Sequence, residues 1–399
     1  MDSIKADSRF ARHQLIEGFD QQLVSKLRIG VIGAGAIGNE LVKNLLLIGA
    51  GTIDVFDYDT VELSNLTRSV FLRESDIGRN KAVALVQKAQ ELYPACQLGA
   101  IAGSIFDTLT LSDAKRYDVI VGAVDNIEAR LRINDVALIA GCDWINLAID
   151  SRSTVVDVFP FRSSHASPAC YSCQLPDAVF ERIAKRYSCG GLQRAAYLQQ
   201  KVPTTTITAS IAAAQGLSEL LRLVHARAGK AIGQFASQPI ALDQSSRRYF
   251  DTLSFVGTKS IISHQADCAG CGLTLRNARI ETPQDQTQLL HLLRTLNEDD
   301  ALLNLSNAVI TDAVCQLNRD HSPVQLRGER AARVTDSATW CAQCHDHSVA
   351  IDVQSRLTVD EFADLLAQLK PNAVSWISLA NTVIEIPHLH SRIDNHEAH

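Results

Sequence analysis

One stretch near the amino end leaves few folds open: Arg28-Ile29-Gly30-Val31-Ile32-Gly33-Ala34-Gly35-Ala36-Ile37-Gly38. A short apolar run breaks into Gly33-x-Gly35-x-x-Gly38 and then into Asn39-Glu40-Leu41-Val42-Lys43-Asn44-Leu45-Leu46, apolar at helical spacing. The pattern predicts a buried strand, a tight glycine turn and a helix start. Amides exposed at that start, with the positive end of the helix dipole, attract phosphate. A second strand, Thr52 to Asp57, ends in an acid where a ribose hydroxyl would be held. Taken alone this is a nucleotide fold, and the default reading is an NAD-dependent dehydrogenase.

The residues after the second strand change that reading. The segment Asp57-Tyr58-Asp59-Thr60-Val61-Glu62-Leu63-Ser64-Asn65-Leu66-Thr67-Arg68 leads to Asp76-Ile77-Gly78-Arg79-Asn80-Lys81. Asp57, Asp59, Asn65, Arg68 and Lys81 all fall beyond the carboxyl end of a parallel strand, the edge where open α/β sheets bind ligands. A triphosphate needs cationic donors there, whereas a dinucleotide can rely mainly on the helix start.

The two motifs, Asp57-x-Asp59-x-Val61-x-x-Ser64-Asn65-Leu66-x-Arg68 and Asp76-x-Gly78-x-x-Lys81, closely resemble those of the ThiF/MoeB/HesA superfamily of ubiquitin-activating (E1-like) adenylating enzymes. The resemblance covers residues 9 to 275 or so. It implies an α/β fold, a Rossmann-like adenylation domain with a mixed, mostly parallel sheet. It also implies activation, with ATP and magnesium, of the C-terminal carboxylate of a ubiquitin-like protein. Gly33, Gly35, Gly38, Asp57, Asp59, Asn65, Arg68 and Lys81 become the expected nucleotide-binding residues, with Arg68 and Lys81 also catalytic. Arg12 matches the arginine that reaches the ATP site from the opposite subunit, which implies a homodimer. A solvated helix charge is the plain alternative for Arg12. The family usually has Gln after the motif arginine, where this chain has Ser69.

A third strand pattern, Tyr117 to Ala123, ends in Val124-Asp125-Asn126 before a helix at Ile127 to Ala140. Asp125 therefore points to the same edge as Gly33 and Asp57. A carboxylate there can hold magnesium, which takes one or two carboxylates plus phosphates. The competing reading is a helix cap, for which Asp and Asn are both suited. The resemblance favours magnesium for Asp125 and nucleotide binding for Asn126, with Arg130 one turn on as a weaker candidate.

The chain has 399 residues, room for one large domain and a smaller one. Its net charge of −6 argues against nucleic acid as the main partner. No apolar run approaches the roughly 20 residues that span a bilayer, and the amino end does not read as a signal peptide, so no membrane partner and a cytoplasmic location are expected. Ten cysteines in that compartment point to metal or redox chemistry more than to disulfides. Cys170-Tyr171-Ser172-Cys173 and Cys268-Ala269-Gly270-Cys271 are two knuckles of the kind that together close a structural tetrahedral zinc site. Cys341-x-x-Cys344, with His345 and His347 beside it, suits either a second zinc or a redox pair, and its other ligands are not evident. Cys96, Cys142 and Cys315 stand in apolar surroundings and read as core residues.

Between the knuckles, residues 176–203 match the family's mobile crossing loop. In its thioester-forming members that loop carries the acceptor cysteine, and Cys189 stands there beside Gly190 and Gly191. A thiolate suits attack on an acyl-phosphate; an incidental thiol is the alternative. Residues 1–275 thus read as the adenylation domain. Residues 276–399 form a C-terminal accessory domain of unknown role, with helices expected over Gln286 to Leu296 and Leu302 to Gln316. The functional expectation is activation of a ubiquitin-like protein for a conjugating enzyme, as in bacterial antiviral defence systems. The alternatives are adenylation of a sulfur carrier for thiamin or molybdopterin synthesis, the dehydrogenase, and a non-catalytic scaffold.

Overall fold

Three parallel strands, consecutive in sequence, set the frame: the first two are largely buried and the third forms the edge of the sheet. They are β1 (Arg28–Ile32), β2 (Thr52–Asp57) and β3 (Gln97–Ala102). The structure is a computed structural model that describes residues 9–162, 169–180, 204–230, 241–268, 270–271, 278–297, 301–321, 326–333, 340–341, 343–346, 349–379 and 382–386. Its remaining strands are β4 (Val119–Gly122), β5 (Asp143–Ile149), β6 (Ser153–Phe159), β7 (Ser246–Asp251), β8 (Val256–Ile261), β9 (Arg279–Glu281), β10 (Leu303–Cys315), β11 (Val349–Leu357), β12 (Trp376–Leu379) and β13 (Thr382–Glu385). The helices are α1 (Gln21–Val24), α2 (Ala36–Ile48), α3 (Lys81–Ala89), α4 (Ile105–Thr108), α5 (Leu111–Ala114), α6 (Ile127–Ala140), α7 (Thr206–Arg227), α8 (Gln286–Leu296) and α9 (Val359–Leu366).

Two units divide the chain, one within Met1–Gln174 and Val202–Arg276, the other within Leu175–Lys201 and Asn277–His399. The first is built on an eight-stranded sheet ordered β3-β2-β1-β4-β5-β6-β7-β8. Strands β1 to β5 pair in parallel, and β6, β7 and β8 continue the sheet antiparallel. The expected mixed, mostly parallel sheet is therefore present, and β6 lies inside it with two further strands beyond. From β1 the chain runs outward through β2 and β3, then returns to place β4 on the other side of β1. That reversal opens a crevice at the carboxyl ends of β1 and β4, where ligands of such sheets bind. Helix α7 packs against α2, β5 and β6, and its Ala209, Ala212, Ala213 and Leu220 join the core formed by Val31, Leu41, Val55 and Ile145. Among the described residues no helix is long and apolar enough to cross a membrane.

The second unit has a five-stranded sheet, β11-β10-β12-β13-β9, backed by α8 and α9 through Leu289, Leu293, Phe362 and Leu365. Helix α8 falls on the predicted span, and the capping box at Thr358 opens α9, with Glu361 bonded back to the Thr358 amide at 2.8 Å. The predicted helix over Leu302 to Gln316 is instead the strand β10. Register shifts between Asn304 and Val309, and between Ile310 and Asp312, interrupt its alternation. Apolar residues then recur at three- and four-residue intervals, imitating a helical face, while Val309, Ile310, Thr311 and Val314 supply the β-branched content of a strand.

Candidate functional site

The glycine turn is built from approaches too close for side chains. Gly33 has φ of 104°, and a Cβ there would lie 2.6 Å from the Ala123 carbonyl oxygen. A Cβ on Gly38 would lie 1.9 Å from the Gly33 carbonyl oxygen. Around Gly35 the situation reverses: no atom lies within 4 Å of where its Cβ would be. The middle glycine faces open space at the start of α2, the volume a phosphate would take.

This contrast yields an expected result. Gly38→Ala should lower the melting temperature, because over-packing at backbone costs about 1–3 kcal/mol. Gly35→Ala should leave melting nearly unchanged, since its φ of −74° suits alanine, yet weaken ATP binding about tenfold or more, on the order of 1.4 kcal/mol. Calorimetric titration with ATP separates the two effects; undiminished affinity in Gly35→Ala would remove the loop from the nucleotide site.

Asp57 ties the turn to the end of β2. One carboxylate oxygen accepts the Ala34 amide at 2.7 Å and the other accepts the Asp59 amide at 2.8 Å. Burial raises the Asp57 pKa, a push that the two amide bonds and Lys81 partly oppose. Lys81 Nζ donates to Asp59 Oδ2 at 2.8 Å, with its side chain only 13% exposed. Asn80 donates to the Asp57 carbonyl at 2.9 Å and caps α3, so the helix bearing Lys81 is held to the strand end. Asn39, fully buried, donates to the carbonyls of Ala34 and Gly35 at 2.7 and 3.1 Å and accepts the Phe71 amide at 3.2 Å. Sequence reasoning misses this residue; its signal is an amide at a core-facing position directly after Gly38.

On the other side of the crevice stand Asp125 and Asn126. Asn126 takes the cap role, accepting the Ala129 amide at 2.8 Å. Asp125 is exposed, and its recorded hydrogen bond is to the Asn126 amide at 3.3 Å. The Tyr58 hydroxyl is raised in pKa by partial desolvation and then by the charges of Asp59, Asp125 and Asp57. The acids on both sides of the crevice therefore share one electrostatic neighbourhood. Arg130 reaches back to the Val124 carbonyl at 2.8 Å, while its Nε is buried without a partner among the described residues. A buried guanidinium nitrogen left unpaired is costly unless an acceptor arrives.

The other predicted residues divide. Asn65 closes a capping box with Glu62, receiving its amide at 2.9 Å, and Arg68 donates to the Ser64 carbonyl at 2.7 Å. Arg12 is exposed at the start of a short 3-10 turn, His13–Leu15. Cys189 lies outside the described residues.

The four knuckle cysteines come together. Cys170 and Cys268 Sγ are 3.6 Å apart, Cys173 and Cys271 are 3.3 Å apart, and all four lie within 4.8 Å of one another. Tetrahedral zinc–thiolate bonds of about 2.3 Å put sulfurs roughly 3.8 Å apart, so the donor set fits zinc. Mutual hydrogen bonding, chiefly with Cys170, holds the Cys173 thiol below its ordinary pKa. Gly270 is required beside them, since a Cβ there would lie 2.9 Å from Cys170 Sγ. Four thiolates would leave no coordination position open on a bound zinc ion, whose role would then be structural.

Comparison with known proteins agrees with this geometry. The ThiF family model matches residues 8–259. A sulfur carrier protein adenylyltransferase of Thermus thermophilus is 31% identical over 157 residues, 39% of this chain and 58% of that protein. The NEDD8-activating enzyme E1 catalytic subunit of Caenorhabditis elegans is 34% identical over 139 residues, 35% of this chain and 31% of that protein. The chain thus spans only part of the length of these curated relatives. The crystal structure of Escherichia coli MccB with AMPCPP and MccA shares the fold, at a TM-score of 0.53 and 19% identity, covering 68% of this chain and 76% of that one. The family match spans the glycine turn, both acidic strand ends and the first of the two knuckles, and the chain belongs to the ThiF family of E1-like adenylating enzymes.

Proposed function

We propose that this chain adenylates the C-terminal carboxylate of a ubiquitin-like or sulfur-carrier protein, with residues 1–275 as the adenylation domain. The observation that carries the proposal is the crevice itself: an open glycine, a tethered lysine, an unpaired guanidinium nitrogen and an exposed carboxylate at one sheet edge. A dehydrogenase would not need the last three.

ATP would lie with its phosphates over Gly35 and the start of α2. Asp125 would hold the magnesium ion, which neutralises part of the triphosphate charge when bound. A carboxylate oxygen of the partner attacks the α-phosphorus, the bond to the β-phosphate oxygen breaks, and pyrophosphate leaves. Arg68, Lys81 and Arg130 are suited to meeting the negative charge that shifts onto the leaving phosphates. Lys81 can turn to phosphate once Asp59 releases it. Arg12 would be supplied by a second copy across a two-fold axis.

For the onward step, the Cys189 thiolate attacks the acyl carbonyl of the adenylate and AMP leaves, giving a thioester that a conjugating enzyme accepts. The relation to the C. elegans E1 subunit supports this branch, and bacterial antiviral conjugation would be a fitting setting. The relation to the Thermus protein supports the sulfur-carrier branch equally. One experiment tests both levels. ATP–pyrophosphate exchange should depend on a small protein ending in a free carboxylate, and lack of exchange with every such protein encoded beside this chain would refute adenylation. Cys189→Ala should keep that exchange but lose a reductant-sensitive covalent band with the partner. Transfer of the partner at the parental rate by Cys189→Ala would instead place the chain among enzymes that only adenylate. Full activity in a chain that sediments as a monomer would rule out Arg12 acting across a dimer.

A further inference from the structure

The second unit contains a metal-type cluster of its own. Cys315, His321, Cys341 and Cys344 offer ligand atoms that all lie within 4.8 Å of one another. Cys315 and Cys344 Sγ are 3.5 Å apart. His321 Nδ1 lies 3.1 Å from Cys344 Sγ and 3.8 Å from Cys341 Sγ. Cys315 is fully buried, as sequence reasoning expects of a core residue, but its thiol faces this cluster. The two ligands that the isolated Cys341-x-x-Cys344 motif lacks are thus a strand-end cysteine and a loop histidine.

We propose that these four residues bind one structural zinc ion as a Cys3His site. Donor chemistry and size both point there. Three thiolates and an imidazole form one of the standard closed zinc sets, with about 2.3 Å to sulfur and about 2.0–2.1 Å to nitrogen. Atoms clustered this tightly surround a single ion. An iron–sulfur cluster interposes its own sulfides and holds its cysteines further apart. Binding displaces the thiol protons, and the imidazole coordinates through Nδ1, the nitrogen nearest the sulfurs. The opposite nitrogen, Nε2, lies 3.2 Å from the Asn318 amide nitrogen; in the metal-bound form the Asn318 side chain would have to present its oxygen instead to accept from Nε2–H.

The local backbone is shaped for the same task. The Cys341 amide donates to the Asp346 carbonyl at 2.7 Å, and the His345 amide donates to the Cys341 carbonyl at 2.8 Å. His345 takes a left-handed φ of 54°, which folds the turn so that both sulfurs face inward. Cys315 ends β10 and pairs with Val349, the first residue of β11. The ion would therefore clasp the two ends of the long connection from 316 to 348, where the described residues form a small apolar cluster with Cys315, Cys341 and Val349 buried in it. Below a certain core size a metal supplies the stability that apolar burial cannot.

The site is independent of the four-cysteine centre in the first unit, and its test keeps them apart. Full-length protein purified without chelator should contain two zinc ions per chain by elemental analysis. X-ray absorption at the zinc edge should then fit seven sulfurs and one nitrogen over the two ions, the sum of the two ligand sets. Cys341→Ser with Cys344→Ser should bring zinc down to one per chain, and His321→Cys should keep two while removing the nitrogen signal. One zinc per chain in the parent, with a fit to four sulfurs, would overturn the proposal even if the variants fail to fold. So would a disulfide joining two of Cys315, Cys341 and Cys344 in freshly purified protein, found by non-reducing peptide mapping.

Discussion

Asp125→Ala is expected to abolish ATP–pyrophosphate exchange while the melting temperature stays within about 2 °C of the parent, the shift a surface substitution of roughly 0.5 kcal/mol produces. The reason lies in the division of labour at the end of β4. Asn126 already supplies the cap of α6, so removing the neighbouring carboxylate leaves the helix start intact. What disappears is an exposed anion whose recorded hydrogen bond is one 3.3 Å contact from Asn126, and which is therefore available to a cation. Lys81→Ala and Arg68→Ala should each cost about 2–4 kcal/mol of transition-state stabilisation, the usual loss for one oriented donor. Lys81→Ala also strips Asp59 of its ion pair, but Asp59 is 45% exposed and that pair adds little to stability. Near-normal exchange in Asp125→Ala would exclude magnesium from this position, whatever the other variants do.

The second large effect concerns the four-cysteine centre. Cys268→Ala with Cys271→Ala should lose one zinc ion per chain, and the first unit should fail to reach its native melting transition. Structural zinc contributes about 10–16 kcal/mol in small zinc-dependent folds, as much as the whole stability of a typical domain. Two buried thiols, Cys170 at 0% and Cys173 at 3% exposure, would remain facing a void. Elemental analysis and calorimetry in parallel decide the matter. Zinc retained at the parental level in the double variant would show that these cysteines do not hold it.

Much of the crevice at the sheet edge is legible in the sequence because its physics is local. Gly33 and Gly38 sit where side chains cannot, Gly35 leaves open space between them, and Asp57 and Asp125 each follow the largely apolar residues of a strand. The parallel sheet follows, since every acid must then emerge at the same edge. Strands β7 and β8 are not legible in the same way. Their residues show little of the alternation that a half-buried strand leaves, because Val256 to Ile261 is exposed at every position. Strand β10 misleads because its bulges shift the period. Asn39 escapes notice because a buried polar residue announces nothing in sequence until its partners, Ala34, Gly35 and Phe71, are placed around it. Cys315 and His321 stay separate from Cys341 and Cys344 for a related reason. Ligand spacing is readable within one turn, whereas the pairing of β10 with β11 is a long-range event.

The four-cysteine centre also bears on how such a chain can be lengthened over generations. Cys170 faces Cys268 and Cys173 faces Cys271, each pair 98 positions apart. Strand β6, just before that interval's start, pairs with β7, just before its end. The junctions at either side of the interval are thus anchored to each other by a sheet ladder and by a cluster of four cysteines suited to a metal ion. Whatever is inserted after Gln174, before the helix that opens at Thr206, begins and ends at fixed places. Its length and content can drift without moving the glycine turn or the acids of the crevice, since loop closure costs only about 0.6 kcal/mol for each doubling. A lineage built this way can exchange one inserted segment for another while the crevice at the sheet edge is inherited unchanged.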